Sequence, residues 1–163
     1  MNVECIYICP EAGKPQQSCQ KIELVAGNGI VGDRNYGLSK WPGQNLTLIE
    51  VEEVESFIRE QNIENDLSLT RRNILTRGVR LNELVGKEFN IGDVALIGIE
   101  LCEPCSSLGA GLESSTLSSK LVIERFLHRG GLRVDVLTSG VIELGAKITG
   151  FNNEQLNTTI FVG

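Results

Sequence analysis

The chain has 163 residues, 41% of them apolar and 22% charged, enough material to bury one core without a metal or disulfide staple. A formal charge of −6 and a pI near 4.9 exclude the broad basic face that phosphate-backbone binding requires, so nucleic acid is not expected as a partner. The five cysteines are an odd number, and the opening "MNVECIYICPEAGKP" carries neither a basic n-region nor a long apolar run. We therefore expect reduced thiols, no spanning helix, no membrane partner and a cytoplasmic location.

In chain order, "VECIYI" and "KIELVAG" read as strands, followed by the glycine-bounded loop "GIVGDRNYG" and the strand "NLTLI". Glu50 to Asn62 predicts a helix: Val51, Val54, Phe57 and Ile58 stripe one face, with acids in the first turn. "LSLTRRNILT" then alternates as a strand, which sets Leu67, Leu69 and Arg71 on one face and Thr70, Arg72 and Ile74 on the other. "KEFNIGDVALIGIEL" predicts a hairpin through Gly92-Asp93, and "LRVDVLTSGVIELG" a second through Ser139-Gly140. Between them lies a weaker helical segment, Thr116 to Leu127. The tail "FNNEQLNTTIFVG" is expected to dock as an edge strand or to fray. Many short strands with one or two helices predict a mainly β fold, a small barrel or sandwich, in a single domain spanning residues 1–163.

Chemistry concentrates in four places. In "IELCEPCSSLG", Cys102 and Cys105 flank Glu103-Pro104 at the end of an apolar run. Cys105 is then a reactive thiolate or soft metal ligand, the two act as a pair, or both are small buried residues. A zinc clamp with Cys5 and Cys9 and a thioredoxin-type pair are the weaker forms of the pair reading, because nothing knuckle-like surrounds Cys5 and the glycines after Cys105 make a poor helix. Pro104 suits a side chain aimed off the end of a strand into a cavity. Cys5 and Cys9 share a strand face with Tyr7 and read as small core residues, while Cys19 carries no motif.

The second place is "RRNILTRGVR", which gathers Arg71, Arg72, Arg77 and Arg80 in an acidic chain. Either this is a solvated face, or at least one arginine points to an enclosed space, where a guanidinium beside Asn73 and Thr70 suits a phosphate or a heterocycle edge. Third, the loop around Asp33, Arg34 and Asn35 either lets its backbone approach a ligand or forms a local Asp33–Arg34 salt bridge; it lacks the Lys-Ser/Thr ending of a phosphate loop. Last, His128 is the single histidine, with Arg129, Arg133 and Gly130-Gly131 nearby. It is either a solvent-facing residue or the edge of the same anion pocket.

Taken in order, "GIVGDRNYG", "LTLIE", "LTRRNILTRGVRLNELVGKEFNIGDVALIGIELCEPCSSL" and "HRGGLRVDVLTSGVIELGAKI" resemble the MOSC family, the domain found at the C-terminus of molybdenum cofactor sulfurases and as small stand-alone proteins. The resemblance covers about residues 29–148. It implies a β-barrel, a molybdenum cofactor pocket, and a key thiol at Cys105 that binds molybdenum or carries sulfur. By the same resemblance Thr70, Arg71, Arg72 and Asn73 form a pterin- and phosphate-facing strand, Arg34 lies in the family's Gly-Asp-Arg loop, and His128 and Arg133 lie in a late strand motif. Related stand-alone members often carry arginine three residues before the thiol, where this chain has Cys102, a possible resolving thiol.

For function, the resemblance implies a molybdenum-dependent oxidoreductase that reduces N-hydroxylated compounds, or alternatively a cofactor or sulfur-transfer carrier with Cys105 as a persulfide. A cofactor with an anionic pterin phosphate at one end and a metal at the other matches arginine and amide donors facing a soft sulfur. Electrons for a reductase would come from a separate iron–sulfur or flavin protein, since the chain has no ferredoxin-type cysteine spacing. Pyridoxal phosphate, sometimes attached to the family through the fused aminotransferase-like domain of sulfurases, finds no Schiff-base lysine candidate here.

Overall fold

The computed structural model describes residues 1–64, 66–104, 109–110, 112–114 and 117–150. Among them the chain is mainly β with two α-helices. The strands are β1 (Asn2–Ile8), β2 (Gln17–Ser18), β3 (Lys21–Val25), β4 (Gly29–Ile30), β5 (Leu46–Glu50), β6 (Ile74–Arg77), β7 (Glu88–Ile91), β8 (Val94–Leu101), β9 (Leu132–Val136), β10 (Gly140–Glu143) and β11 (Ile148–Thr149). The helices are α1 (Val51–Gln61) and α2 (Ser119–Arg125). None of the described helices is long and apolar enough to cross a membrane.

Eight strands form one sheet in the order β11-β7-β8-β9-β5-β6-β1-β2, and β10-β3-β4 form a second. The large sheet curls strongly. Its β11 end closes back on the start of β1, where Val3 donates to the carbonyl of Ala146 and Ile148 donates to that of Met1. Alternation explains the two cores. Leu46, Leu48, Ile74, Leu96, Leu132 and Val134 point inward with Ile22, Leu24 and Ile142 of the small sheet, while Ile49 and Leu75 point outward, under α1 and α2.

Helix α1 forms where its apolar stripe predicts: Val51, Val54, Phe57 and Ile58 are its buried residues. Glu52 and Glu53 sit in its first turn, and Asn62 closes it in the left-handed region at φ 50°. It links β5 to β6, the parallel pair in which Leu48 faces Ile74, as a helical crossover must. The shorter α2 starts at Ser118, whose side chain accepts from the Leu121 N–H, and lies inside the segment expected to be helical. Phe57 and Phe126 pack with their rings tilted by 47° and their centroids 4.4 Å apart.

Two sequence expectations are corrected. The Gly92-Asp93 hairpin is present, with Ile91 facing Val94, but Ser139-Gly140 does not join a hairpin: β10 pairs with β3 instead, Ile142 facing Ile22. The chain changes sheets after Val136 because hydroxyls capture the local backbone. Thr138 Oγ1 accepts from the Ala95 N–H and Ser139 Oγ from the Ala26 N–H, and the turn delivers Ile142 to the interior.

"LSLTRRNILT" is not one strand. Leu67–Thr70 is a 3-10 turn capped by Asp66, whose carboxylate accepts from the Ser68 N–H, and Arg71 is left-handed at φ 62°. Only Ile74–Arg77 continues as β6. The expected division of faces therefore fails before Ile74, because the local side-chain bond at Asp66 competes with the ladder. The tail at 151–163 and the start of the second helical segment at Thr116 lie outside the described residues.

Candidate functional site

At one end of the curled sheet, four chain segments meet. Arg72 is buried at 4% exposure. Its Nε donates to the carbonyl of Gly130 at 2.9 Å and its Nη2 to that of Cys102 at 3.5 Å. The Cys102 N–H in turn donates to the carbonyl of Gly131 at 2.7 Å. So the "TRRN", "CEP" and "HRGG" segments, far apart in sequence, are pinned to one another by one guanidinium. The crossing is tight enough that only glycine fits. Gly131 has φ +98°, and a Cβ there would overlap the carbonyl oxygen of Leu48; one at Gly130 would overlap that of Cys102.

Beside this junction runs a polar row. Asn73 Oδ1 accepts from the Thr47 N–H at 3.1 Å and from its hydroxyl at 3.2 Å, and Nδ2 donates to the Tyr7 carbonyl at 3.2 Å. Thr47 faces Arg133 across the β5–β9 ladder, and Glu100 faces Arg133 across β8–β9. The Arg133 Nε lies 3.7 Å from Glu100 Oε1, with 41% and 63% of the two side chains exposed. Such an open pair is held weakly and leaves the guanidinium available to a ligand.

The rest of the "TRRN" segment also bonds within the chain. Thr70 is buried and its hydroxyl donates to the Leu67 carbonyl at 3.1 Å. Arg71 reaches back to the chain end of β1, donating to the Lys14 carbonyl at 2.6 Å and to Cys9 Sγ at 3.4 Å. Cys9 is buried, and its Sγ donates to the Glu11 carbonyl at 2.8 Å. Its N–H donates to Asp33 Oδ1 at 2.8 Å, while Asp33 Oδ2 accepts from the Asn35 N–H at 3.0 Å.

Asp33 is therefore the buried anchor of its loop, and its carboxylate is spent on backbone donors instead of on Arg34. The Arg34 side chain is exposed, its N–H donating to the Cys9 carbonyl at 2.9 Å. The His128 side chain is 76% exposed, and its backbone is left-handed at φ 61°. Its Nδ1 lies 3.4 Å from Glu103 Oε1, next to the cysteine segment.

Burial pushes the thiols of Cys5 and Cys19 above their ordinary values. It also pushes the Tyr7 phenol, which faces Cys5, up to about 12. Cys5 and Cys19 are consequently protonated at neutral pH and poor nucleophiles. No three His, Cys, Asp or Glu residues converge as a metal cage among the described residues. Cys105, the key thiol expected from the sequence, lies outside them; the described chain reaches Pro104.

The MOSC domain model matches residues 33–149. The chain belongs to the MOSC domain family. Its fold is shared with solved structures of low sequence identity. The YuaD protein from Bacillus subtilis aligns at a TM-score of 0.79 with 19% identity, over 90% of this chain and 93% of that one. YiiM from Geobacillus stearothermophilus aligns at 0.65 with 16% identity, over 91% and 73%. YiiM from Escherichia coli aligns at 0.62 with 15% identity, over 100% and 86%. No curated protein matches the chain.

The MOSC family is associated with molybdenum cofactor binding. Two cations near the junction suit such an anionic group in sign: Arg133 is open to solvent, and Arg72 places a buried cation beside the carbonyl of Cys102. Thr47 and Glu100 were not singled out from the sequence, because their place in the row is set by strand register. Asp33's role has a local signal, an Asx-type bond to the residue two further on.

Proposed function

We propose that this MOSC protein binds molybdenum cofactor at the Arg72 junction and reduces N-hydroxylated compounds, with Cys105 as the soft metal ligand. The observation that supports this reading is the double hydrogen bond of buried Arg72 to Gly130 and Cys102. It draws the cation-bearing segments and the segment leading to Cys105 into one place. When bound, the molybdenum centre supplies removal of an oxygen atom from the substrate nitrogen.

The chain's own residues do the holding. Arg133 and Arg34 offer guanidinium donors to the pterin phosphate, a planar fork for tetrahedral oxygens. Arg72, Thr70 and Asn73 hold the backbone around Arg133, Asp33 and Cys9 hold that of Arg34, Arg71 ties the neighbouring loop, and His128 lies beside Glu103. Electrons come from a separate iron–sulfur or flavin protein. A second reading is a cofactor or sulfur carrier with Cys105 as a persulfide; Cys102, three residues away and buried at 2%, supports it as a thiol within the same segment.

The test is metal and pterin analysis of protein made in a cofactor-competent host. Stoichiometric molybdenum with pterin, lost in Cys105→Ala and kept in Cys19→Ala, is expected; stoichiometric zinc in its place overturns the reading. Turnover of 6-hydroxylaminopurine by loaded protein with a viologen donor selects the reductase, and full loading without turnover selects the carrier.

A further inference from the structure

Strand β8 carries an irregularity where it passes the junction. As far as Gly98, which faces Val134, it pairs regularly with β9; beyond that the register slips by one, so that Glu100 faces Arg133 and Leu101 faces Leu132. Without the slip Ile99 would stand opposite Arg133, and Glu100 would share the face of the fully buried Leu132. The bulge therefore takes a carboxylate that a regular ladder would aim at the core and sets it beside the open guanidinium of the site.

The irregularity is held from two sides. Gly98 donates to the Lys87 carbonyl at 3.0 Å and accepts from the Gly86 N–H at 2.8 Å, and a Cβ on it would overlap the carbonyl oxygen of Leu84. Ile99, the extra residue, packs on Gly43, where an added Cβ would lie 3.4 Å from that of Ile99 and 3.1 Å from that of Arg133.

Two acids flank Arg133 on this face, and they differ. Asp135, two residues along β9, is already engaged: its Oδ1 accepts from the Gly43 N–H at 2.9 Å. Among the described residues the Glu100 carboxylate meets only Arg133, at 3.7 Å, which is longer than a hydrogen bond, and 63% of its side chain is exposed. Such a carboxylate offsets the charge of the guanidinium yet leaves it for water at little cost.

We propose that Glu100 is the resident counter-anion of Arg133, displaced when the pterin phosphate binds, and that it thereby sets how tightly the site holds its ligand; this rests on the cofactor reading, with Arg133 as a phosphate donor. Binding is then an exchange of one anion for another on the same planar fork, and the net affinity is the gain from the phosphate less the loss of the carboxylate. A cross-strand pair that served the sheet alone would leave ligand release untouched.

The experiment follows loss of pterin from full-length protein made in a cofactor-competent host, read as fluorescence of released, oxidised pterin after dilution. It compares wild type, Glu100→Gln, Arg133→Ala and the double variant. Arg133→Ala is expected to speed release about tenfold, as the loss of a charged hydrogen-bond donor does. Glu100→Gln is expected to slow it about fivefold, the effect of an exposed ion pair at its strongest. In the Arg133→Ala background Glu100→Gln is expected to change nothing, because the competitor has lost the group it competes for. Release from Glu100→Gln at or above the wild-type rate overturns the proposal. A slowing of equal size in both backgrounds overturns it as well, since that is direct repulsion between carboxylate and phosphate. Denaturant midpoints of wild type and Glu100→Gln are expected to agree, the side chain being exposed; slower release matched by a higher midpoint assigns the effect to the bulge and overturns the exchange. Wild-type release from Arg133→Ala, or protein that carries no pterin at all, overturns the cofactor reading at Arg133, a distinct result.

Discussion

Arg72 and Gly130 are joined by a 2.9 Å hydrogen bond between a buried guanidinium and a main-chain carbonyl, across 58 residues of sequence. Arg72→Ala removes this bond and the one to Cys102 and leaves the carbonyls without that donor. The expected loss is about 3 kcal/mol, typical of two bonds with a charged partner. Arg72→Lys keeps a charge without the planar fork, and recovers about half. Denaturant midpoints of the three proteins test this; a midpoint for Arg72→Ala equal to wild type would show that the guanidinium does not pin the segments.

Glu50 contributes a pH dependence of defined sign. Burial raises its carboxyl above the usual value, with the Leu81 N–H and the Arg80 guanidinium opposing that rise. Its carboxylate accepts from Leu81 at 2.8 Å and meets Arg80 at 3.1 Å. Because the folded value lies above the unfolded one, its contribution is fully present below the unfolded value of about 4.3 and declines as pH rises through the folded value. Glu50→Gln keeps an acceptor for Leu81 and does not titrate. Wild-type stability relative to Glu50→Gln is therefore expected to fall between about pH 4 and neutrality. Urea unfolding across that range measures it, and a difference that is flat or rises with pH contradicts the assignment.

The glycine crossing offers a matched comparison. At Gly131 an added methyl meets the Leu48 carbonyl at φ +98°, whereas at Gly13, φ +77°, it meets nothing within 4 Å. Gly131→Ala is expected to cost more than about 3 kcal/mol, from backbone overlap on top of conformational strain, and Gly13→Ala about 1 kcal/mol from strain alone. Thermal unfolding of the pair separates the two contributions. Equal shifts would mean that the Leu48 contact relaxes at no cost.

Features set by local chemistry were readable in the sequence. The stripe of Val51, Val54, Phe57 and Ile58, and the Gly92-Asp93 turn, need only neighbouring residues to specify them. Ser139-Gly140 carried the same turn signal, but the partner of β10 is chosen by burial of Ile142 beside Ile22 and Leu24, which no local pattern encodes. In "LSLT" the alternating leucines imitate a strand, while Asp66, one residue upstream, closes a 3-10 turn. Residue type flagged Arg72 and Asn73, yet their partners, three carbonyls and a threonine, are fixed by register and crossing. Glu100 and Thr47 became visible only through their places opposite Arg133.

The pairing of β3 with β10 carries a cost in time. Ile22 waits for Ile142, so on a ribosome adding about 5–20 residues per second, roughly 6–24 seconds pass between the emergence of one and its mate. Through that interval the apolar side of β3 has no strand of its final sheet except the two-residue β4 to cover it. Nascent chains of this protein are consequently open to chaperone capture near Ile22 and Leu24 until the last third of the domain is made.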